Sequence, residues 1–205
     1  MKRPPFVVLV PVKAPALGKT RLRVPAHLRP GLATAFALDV VDAALATPGV
    51  VEVVVVTADA AFATRFSDLG VTTLPDGGGL NGSLVSGAAT VRSRHPGAVP
   101  VALCADLPCL RPDDLADALD QVAAGGAWFV ADADGTGTTT YAAPYDAFAP
   151  RFGVGSRAAH LAAGARPVAG DLPTLRRDVD DEQALTAALA LGPGPHTRAA
   201  VALLP

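Results

Sequence analysis

The chain has 205 residues, half of them hydrophobic, which is enough for one domain with a substantial core and excludes a disordered chain. Its formal net charge of −2 hides an asymmetry, because residues 1–38 contain seven Lys and Arg and no acidic residue, whereas the remainder contains ten basic and nineteen acidic residues. No apolar run approaches the ~18 residues that cross a bilayer, and two cysteines do not make a disulfide framework. We therefore expect a cytoplasmic single domain over residues 1–205, with a C-terminal tail at 192–205. We expect it to bind small anions rather than nucleic acid or a membrane.

The first predicted strand, Phe6–Val12, is followed by a loop that carries most of the early cations. This loop contains Gly-Lys-Thr at positions 18–20, as a P-loop does, but Lys13 stands where that motif needs its first glycine. The sequence therefore does not predict the backbone conformation that wraps a phosphate in a P-loop. We predict instead that the loop presents Lys13, Lys19 and Arg21 to a polyphosphate.

Strands and helices then alternate along the chain. Apolar periodicity and the Pro and Gly residues that interrupt it predict a helix over 30–47, a strand over 50–57, a helix over 60–69 and a strand over 71–74. This βαβαβ order is typical of a Rossmann-like, doubly wound α/β fold. We predict a mostly parallel mixed sheet with helices on both faces.

A glycine-rich segment, 76–84, leads into a helix predicted over 84–94. The glycines could form a simple linker, but a short loop between a strand and a helix seldom needs three of them. A backbone that lies against a flat ring or a phosphate does need them. We favour the second interpretation and predict that Asn81, Gly82 and Ser83 bind a nucleotide.

The next apolar run, 99–105, stops abruptly at Asp106, before a helix predicted over 112–123. A near-continuous apolar run predicts a strand that is covered on both faces, in the middle of a parallel sheet. Ligands of such sheets bind just beyond the carboxyl ends of the strands. Asp106 at this edge is either a turn or capping residue or a metal ligand.

A predicted hairpin interrupts the alternation. Two apolar segments, 127–132 and 138–144, flank an Asp134-Gly135 dipeptide, which is a strong hairpin signal. We therefore expect the mostly parallel sheet to contain an antiparallel hairpin near the edge at which Asp106 lies.

Residues 153–158 formally match the G-x-G-x-x-A dinucleotide fingerprint, but no buried strand precedes them, so this assignment is rejected. We predict that Ser156 is the N-cap of a helix. Two interpretations of the glycines stay open: they expose backbone N–H groups to an anion, or they belong to a plain capped helix.

Three carboxylates end a strand predicted from Thr174 onward. Asp181 is suited to cap the helix predicted over 182–191, which leaves Asp178 and Asp180 available. Residues two apart on a strand point to the same side of it.

Carboxylates opposite a basic loop, with no histidine placed to activate a serine or cysteine, are typical of Mg²⁺-dependent phosphoryl or nucleotidyl transfer. In such a site the protein positions two anionic reactants and neutralises their charge. A phosphate nucleophile is already ionised at neutral pH, so it needs no general base.

Six motifs occur in a fixed order along nearly the whole chain: Pro11-Val-Lys13 with Gly18-Lys-Thr-Arg-Leu22, Leu80-Asn-Gly-Ser-Leu84, Asp106-Leu-Pro108, Asp134-Gly-Thr-Gly-Thr138, Phe152-Gly153-x-x-Ser156 and Arg177-Asp178-Val-Asp180. With them the sequence resembles the CofC/FbiD guanylyltransferases of coenzyme F-420 biosynthesis, a branch of the MobA-like nucleotidyltransferases. The resemblance implies that GMP is transferred from GTP to phosphoenolpyruvate or 2-phospho-L-lactate, with release of pyrophosphate.

The resemblance also implies the roles of individual residues. The ligands of two Mg²⁺ ions would be Asp106, Asp178 and Asp180. The groups that bind phosphoenolpyruvate would be Thr138, Gly153 and Ser156. The GTP phosphates would contact Lys13, Lys19 and Arg21, and the guanine or ribose would lie near Asn81, Gly82 and Ser83. The catalytic groups would be Asp106, Lys13 and Lys19.

Two other functions compete with this one. One is a different MobA-like nucleotidyltransferase, acting on the molybdenum cofactor or a sugar phosphate. The other is a nucleotide-binding protein that has kept the fold without catalysis. The sequence does not fix the oligomeric state, and a homodimer is compatible with it.

Overall fold

The computed structural model describes residues 3–12, 22 and 24–204. Within them, seven strands form one sheet in the order β3-β2-β1-β4-β6-β5-β7. The strands are β1 (Phe6–Pro11), β2 (Val50–Thr57), β3 (Thr72–Pro75), β4 (Val99–Leu103), β5 (Trp128–Ala131), β6 (Thr138–Ala142) and β7 (Arg166–Pro167). The helices are α1 (Arg29–Ala46), α2 (Ala60–Asp68), α3 (Gly79–Arg92), α4 (Pro112–Val122), α5 (Ser156–Ala162), α6 (Pro173–Arg176), α7 (Glu182–Leu191) and α8 (Pro195–Val201).

The pairing of the strands confirms the predicted fold class. β1 pairs in parallel with both β2 and β4, and β2 pairs in parallel with β3. The predicted hairpin is also present, since β6 runs antiparallel to both β4 and β5. The short parallel strand β7 beside β5 was not predicted.

Helices cover both faces of the sheet, as β1 illustrates. Phe6, Val8 and Val10 are fully buried in one apolar cluster with residues of α1 and α4. The alternate residues Val7 and Leu9 are fully buried in a second cluster with residues of α3. A strand that is buried on both faces must be apolar at every position, which explains its continuous apolar sequence.

Helix α3 begins at Gly79, five residues before the predicted start at residue 84. The prediction was wrong because each glycine disfavours a helix by about 1 kcal/mol relative to alanine. Tertiary contacts override that preference here. The Asn81 side chain binds the backbone of Phe152, and the Ser83 hydroxyl binds the carboxylate of Asp76.

The strand predicted from Thr174 is also wrong, because the segment forms the short helix α6 followed by irregular backbone. Pro173 is the first residue of this helix, where its fixed φ is favourable. The carboxylate of Asp114 accepts hydrogen bonds from the Thr174 N–H at 2.8 Å and from its hydroxyl at 2.6 Å. This side chain on α4 therefore holds the first turn of α6.

The C-terminal segment, described over 192–204, contains α8, which packs against α1. The buried carboxylate of Asp39 on α1 accepts hydrogen bonds from the N–H groups of His196 and Thr197 at 3.0 and 2.9 Å. A carboxylate at this position satisfies two of the unpaired donors of a helix start. Among the described residues, no helix is both long and apolar enough to span a membrane.

Candidate active site

Asp106 lies three residues beyond the end of β4, at the carboxyl edge of the parallel strands. Its backbone carbonyl accepts a hydrogen bond from the N–H of Val179 at 3.0 Å. That bond places Asp178 and Asp180, which flank Val179, beside the end of β4. The structure therefore brings together the three carboxylates predicted from distant parts of the sequence, although the segment that carries Asp178 and Asp180 is not a strand.

The charge of this carboxylate cluster perturbs Asp178. Burial raises the pKa of Asp178, and the neighbouring charges of Asp106, Asp180 and Asp132 raise it further, to about 7. Each cause disfavours the ionised form, because a charge leaves water or approaches a like charge. A bound cation would relieve the same repulsion, and this makes the cluster a candidate cation site.

The donor set fits a hard divalent ion. Its members supply carboxylate oxygens, which Mg²⁺ prefers to nitrogen or sulfur. Among the described residues, no group of three or more His, Cys, Asp and Glu side chains lies close enough together to hold a metal ion by itself. Mg²⁺ usually takes only one or two protein carboxylates and completes its shell with water and substrate phosphates.

The hairpin brings Thr138 to the same edge. Leu103 on β4 lies opposite Thr140 on β6, and the Cys104 N–H donates to the carbonyl of Thr139 at 2.9 Å. Because β4 and β6 are antiparallel, the start of β6 at Thr138 lies beside the residues that lead from β4 to Asp106. The Cys104 thiol also contacts the Thr138 carbonyl, at 3.6 Å.

Asp132 fixes the tip of this hairpin. Its carboxylate accepts hydrogen bonds from the N–H groups of Thr136 at 2.9 Å and Gly137 at 2.7 Å. The turn predicted at Asp134-Gly135 is present, with φ of +72° at Gly135. Asp132 therefore organises the residues that lead into Thr138.

Gly153 and Ser156 lie next to this hairpin, at the start of α5. Ser156 is the first helical residue, and the N-cap is Gly155 in a left-handed conformation with φ of +70°, so the predicted capping role of Ser156 is wrong. The Ser156 N–H donates to the Gly153 carbonyl at 3.1 Å, and the Arg157 N–H donates to the Thr136 carbonyl at 3.3 Å. These two amides are used within the protein, so the polar groups available to a ligand here are side-chain hydroxyls and other backbone groups.

His160 is a further residue of this region that the sequence analysis missed. It is fully buried on α5, and its two ring nitrogens lie 3.1 Å from the Thr138 hydroxyl and 2.9 Å from the Arg151 backbone nitrogen. Burial and, to a lesser extent, the charge of Arg151 lower the pKa of His160 to about 4, against the opposing effect of a hydrogen bond to the Ser156 backbone. It lies four residues after Ser156, on the same helix face, but this spacing alone does not distinguish it from an ordinary buried histidine.

The nucleotide-side residues lie at the start of α3. The amide of Asn81 is engaged with the backbone of Phe152, and the hydroxyl of Ser83 binds Asp76. Gly82 faces open space, because an added Cβ would meet no atom within 4 Å. A shallow depression between β1, β2 and this helix start is lined by Pro11, Val12, Val56, Asp76, Leu80 and Ser83.

Two further observations concern the extent of the candidate site. The predicted phosphate-binding residues Lys13, Lys19 and Arg21 lie outside the described residues. A cavity of about 320 Å³ lies between α1, Arg65 of α2 and α8, and its lining includes none of the predicted site residues. We therefore assign the candidate site from its chemistry and not from cavity size.

Comparison with known proteins agrees with the fold. The sequence model of the MobA-like NTP transferase domain matches residues 33–190. The chain belongs to the MobA-like NTP transferase family. Its members transfer a nucleotidyl group, and the protein is therefore a nucleotidyltransferase that uses a nucleoside triphosphate.

Curated relatives within this family are similar over almost the whole chain. A protein of Thermomonospora curvata named phosphoenolpyruvate guanylyltransferase is 49% identical over 203 residues, which cover 97% of this chain and 89% of the relative. A protein of the same name from Streptomyces coelicolor is 47% identical over 205 residues, with 97% of each chain covered.

Solved structures of more distant proteins share the MobA-like fold. The structure of a nucleotide-diphospho-sugar transferase from Desulfovibrio desulfuricans G20 superposes with a TM-score of 0.61 and covers 91% of this chain and 96% of its own, at 17% identity. At that identity the likeness concerns the fold alone.

Proposed function

We propose that the protein is a guanylyltransferase that joins the GMP moiety of GTP to phosphoenolpyruvate, with release of pyrophosphate, in coenzyme F-420 biosynthesis. The convergence of Asp106, Asp178 and Asp180 beside Thr138 carries this proposal, because it places a cation-binding cluster next to groups suited to an anionic acceptor. The name and the close similarity of the curated relatives support the choice of phosphoenolpyruvate and GTP.

The reaction needs positioning and charge neutralisation rather than proton transfer. A phosphate oxygen of phosphoenolpyruvate attacks the α-phosphorus of GTP, and a new P–O bond forms there. The bond between the α-phosphorus and the oxygen that bridges to the β-phosphate breaks, and the electron pair leaves with pyrophosphate. The attacking oxygen is ionised at neutral pH, so none of the side chains needs to act as a base.

In this proposal, Asp106, Asp178 and Asp180 hold Mg²⁺ together with the phosphates of the substrates. The bound Mg²⁺ supplies positive charge to the triphosphate and to the pyrophosphate that leaves. The carboxylates fix where that charge lies relative to Thr138. The number of metal ions, predicted as two from the family resemblance, belongs to the proposal.

The acceptor lies, in this proposal, against Thr138, Gly153 and Ser156. Two hydroxyl donors and a backbone segment suit the phosphate and carboxylate of phosphoenolpyruvate better than an uncharged acceptor. Both side chains are buried, with 7% and 3% of Thr138 and Ser156 exposed. Hydroxyl groups aimed at an anion in a partly dry site bind it more strongly than they would in water.

The nucleotide would lie beside the end of β1 and the start of α3. Lys13, Lys19 and Arg21 are proposed to bind its phosphates, with Lys13 and Lys19 neutralising charge during transfer. The shallow depression that Ser83 helps to line is proposed to accept the ribose or base, beside Gly82. Because the amide of Asn81 binds Phe152, we propose that Asn81 supports the nucleotide loop rather than reading the base edge with both of its amide groups.

Pyrophosphate release tests the proposal. The protein is incubated with Mg²⁺, one nucleoside triphosphate and one acceptor at a time: phosphoenolpyruvate, 2-phospho-L-lactate or a sugar 1-phosphate. We expect release that requires both GTP and phosphoenolpyruvate, with a new diphosphate signal in the ³¹P spectrum. Turnover restricted to 2-phospho-L-lactate would change the acceptor, and turnover with CTP and a sugar phosphate would contradict the proposal.

Two properties are not needed for this chemistry and stay predictions. A cytoplasmic location would supply both substrates. Sedimentation measurements would establish whether the protein is a homodimer.

A further inference from the structure

His160 is a fully buried histidine that takes no part in the proposed chemistry, yet both of its ring nitrogens contact the acceptor side of the site. The imidazole is enclosed by three aromatic rings, at centroid distances of 5.7 Å from Phe129, 4.7 Å from Tyr141 and 5.7 Å from Phe152. Apolar packing alone would be met by a phenylalanine at this position. The polar contacts therefore need a separate explanation.

The hydrogen bonds of His160 determine its tautomer. The Arg151 backbone N–H donates to Nε2 at 2.9 Å, so Nε2 carries a lone pair and no proton. In a neutral imidazole the proton must then be on Nδ1, which lies 3.1 Å from the Thr138 hydroxyl oxygen. Burial and the charge of Arg151 lower the pKa of His160 to about 4, so the ring stays neutral at physiological pH.

This tautomer fixes the role of the Thr138 hydroxyl. A protonated Nδ1 has no lone pair, so it donates to the threonine oxygen and cannot receive the threonine proton. The ring also makes a hydrogen bond to the Ser156 backbone. The O–H proton of Thr138 is therefore left for another acceptor, at the edge of the sheet where Asp106 and Asp178 lie.

The second ring nitrogen acts on the loop that carries Gly153. By accepting from the Arg151 N–H, Nε2 holds the backbone two residues before Gly153. Gly153 has a φ of +137°, a conformation that an L residue rarely adopts, so this loop depends on precise anchoring. One side chain thus holds both Thr138 and the Gly153 loop.

We propose that His160 is a positioning residue for the anionic acceptor: its Nδ1–H orients the Thr138 hydroxyl as a donor to the acceptor, and its Nε2 anchors the loop of Gly153. The inference rests on the proposed function for the identity of the acceptor. It adds a structural reason for the site to select an anion, because the Thr138 hydroxyl is oriented to donate a hydrogen bond to the acceptor.

Three substitutions separate the two hydrogen bonds. The amide of His160→Asn reaches the position of Nδ1 and preserves the donor to Thr138, whereas the amide of His160→Gln reaches the position of Nε2 and preserves the acceptor for Arg151. His160→Phe retains the aromatic packing and removes both bonds. Thr138→Val is the companion variant, because it removes the hydroxyl that His160 orients.

The experiment compares the change in KM for phosphoenolpyruvate with the change in KM for GTP, both measured by pyrophosphate release with Mg²⁺. We expect His160→Phe to raise the acceptor KM about tenfold, as the loss of a hydrogen bond does, with the GTP KM within about twofold of the wild type. His160→Asn should recover most of the acceptor affinity. The double variant Thr138→Val with His160→Gln, which keeps the acceptor for Arg151, should be no worse than Thr138→Val alone.

Histidine ¹⁵N chemical shifts of the wild type provide a measurement that does not depend on activity. We expect Nδ1 protonated and Nε2 unprotonated between pH 6 and pH 8, since the pKa is about 4. The opposite tautomer overturns the inference, even if the enzyme is active.

The two proposals fail in different ways. Wild-type protein that turns over no phosphorylated acceptor contradicts the proposed function, and the acceptor role of His160 falls with it. Wild type that turns over phosphoenolpyruvate, with a folded His160→Gln or His160→Phe whose acceptor and GTP KM values change together, contradicts the inference about His160 alone. Circular dichroism and melting temperature establish that each variant is folded, and His160→Gln, which loses the donor to Thr138, supplies the comparison if His160→Phe does not fold.

Discussion

Asn81 binds both backbone groups of Phe152: its Nδ2 donates to the Phe152 carbonyl at 3.0 Å, and its Oδ1 accepts from the Phe152 N–H at 2.9 Å. The two residues are 71 positions apart in the chain. Asn81 lies in the first turn of α3, on the proposed nucleotide side, and Phe152 precedes Gly153 on the proposed acceptor side. One amide thus joins the two halves of the candidate site.

Asn81→Ala is therefore expected to affect both substrates. Removing the amide leaves the N–H and C=O of Phe152 without their partner and frees the Gly153 loop from α3. We expect kcat/KM to fall about tenfold or more with respect to GTP and to phosphoenolpyruvate, measured in the same pyrophosphate assay. Thr90→Ala, an exposed change on the same helix, is the control and should retain wild-type kinetics. An effect on only one substrate would show that the amide does not couple the two sides.

Asp106→Asn should abolish turnover while the protein stays folded. The amide keeps the shape of the side chain but loses the charge that binds Mg²⁺, and we expect a loss of roughly a thousandfold in kcat. Asp134→Asn is the matched control, because Asp134 is an exposed carboxylate at the tip of the neighbouring hairpin. Near-normal kcat in Asp106→Asn, at saturating Mg²⁺, would remove Asp106 from the metal site.

The order of strands and helices was predictable from the sequence because it depends on local patterns. The apolar run of β2 is bounded by Pro48-Gly49 and by a polar turn, and its predicted limits, 50–57, are those in the structure. The cap of α7 is also local, since the Asp181 carboxylate accepts from the Ala184 N–H at 2.9 Å. The position of Asp106 was predictable for the same reason, because it follows directly after the apolar run that forms β4.

The features that were missed depend on contacts between distant residues. The early start of α3 depends on Phe152, α6 on a carboxylate of α4, and α8 on Asp39 of α1. His160 is a related case, because no local pattern distinguishes a histidine that orients a threonine from an ordinary buried histidine. Its partners, Thr138 and Arg151, lie 22 and 9 residues away.

Asp178→Asn should stabilise the metal-free protein at neutral and higher pH while it abolishes activity. The pKa of Asp178 is raised from 3.8 to about 7, so the folded state holds a proton that the unfolded state releases. The wild-type fold therefore loses stability as pH rises from about 4 to about 7. Allowing for partial exposure of the side chain, we expect the amide to recover about 2 kcal/mol at pH 8.

Urea unfolding in EDTA measures this effect. The gain from Asp178→Asn should shrink toward zero near pH 4, where the wild-type carboxyl is already protonated in both states. Asp134→Asn again serves as the control and should change the free energy of unfolding little at either pH. A destabilised Asp178→Asn at pH 8 would mean that the carboxylate is held by favourable contacts rather than opposed by its neighbours.

His160 gives the opposite pH dependence. Its pKa is lowered from 6.5 to about 4, so the unfolded state takes up a proton that the folded state excludes. The fold therefore loses stability as pH falls from about 6.5 to about 4, by about 3 kcal/mol over the whole range.

Protonation of Asp178 stabilises the fold as pH falls over nearly the same range, which would mask the effect of His160. The measurement therefore uses Asp178→Asn as the parent protein. In that background, His160→Asn should flatten the pH dependence of the free energy of unfolding between pH 4 and pH 6.5. His95→Asn, at a partly exposed histidine that pairs with Glu52, is the control and should leave the His160 slope in place. An unchanged slope in His160→Asn would assign the acid sensitivity to other groups.

The C-terminal helix supplies the last prediction, which concerns stability alone. Asp39 is 4% exposed, and its carboxylate accepts hydrogen bonds from two N–H groups at the start of α8. Asp42, one turn further along α1, is largely exposed and makes a 3.0 Å ion pair with the His196 side chain. Asp39→Ala leaves two donors of a buried helix start unpaired, and we expect a loss of about 2 kcal/mol. Asp42→Ala removes only an exposed ion pair, so its effect should stay below about 1 kcal/mol. Denaturant unfolding compares the two, and equal losses would mean that α8 contributes to the fold through its apolar packing on α1 and not through the cap at its start.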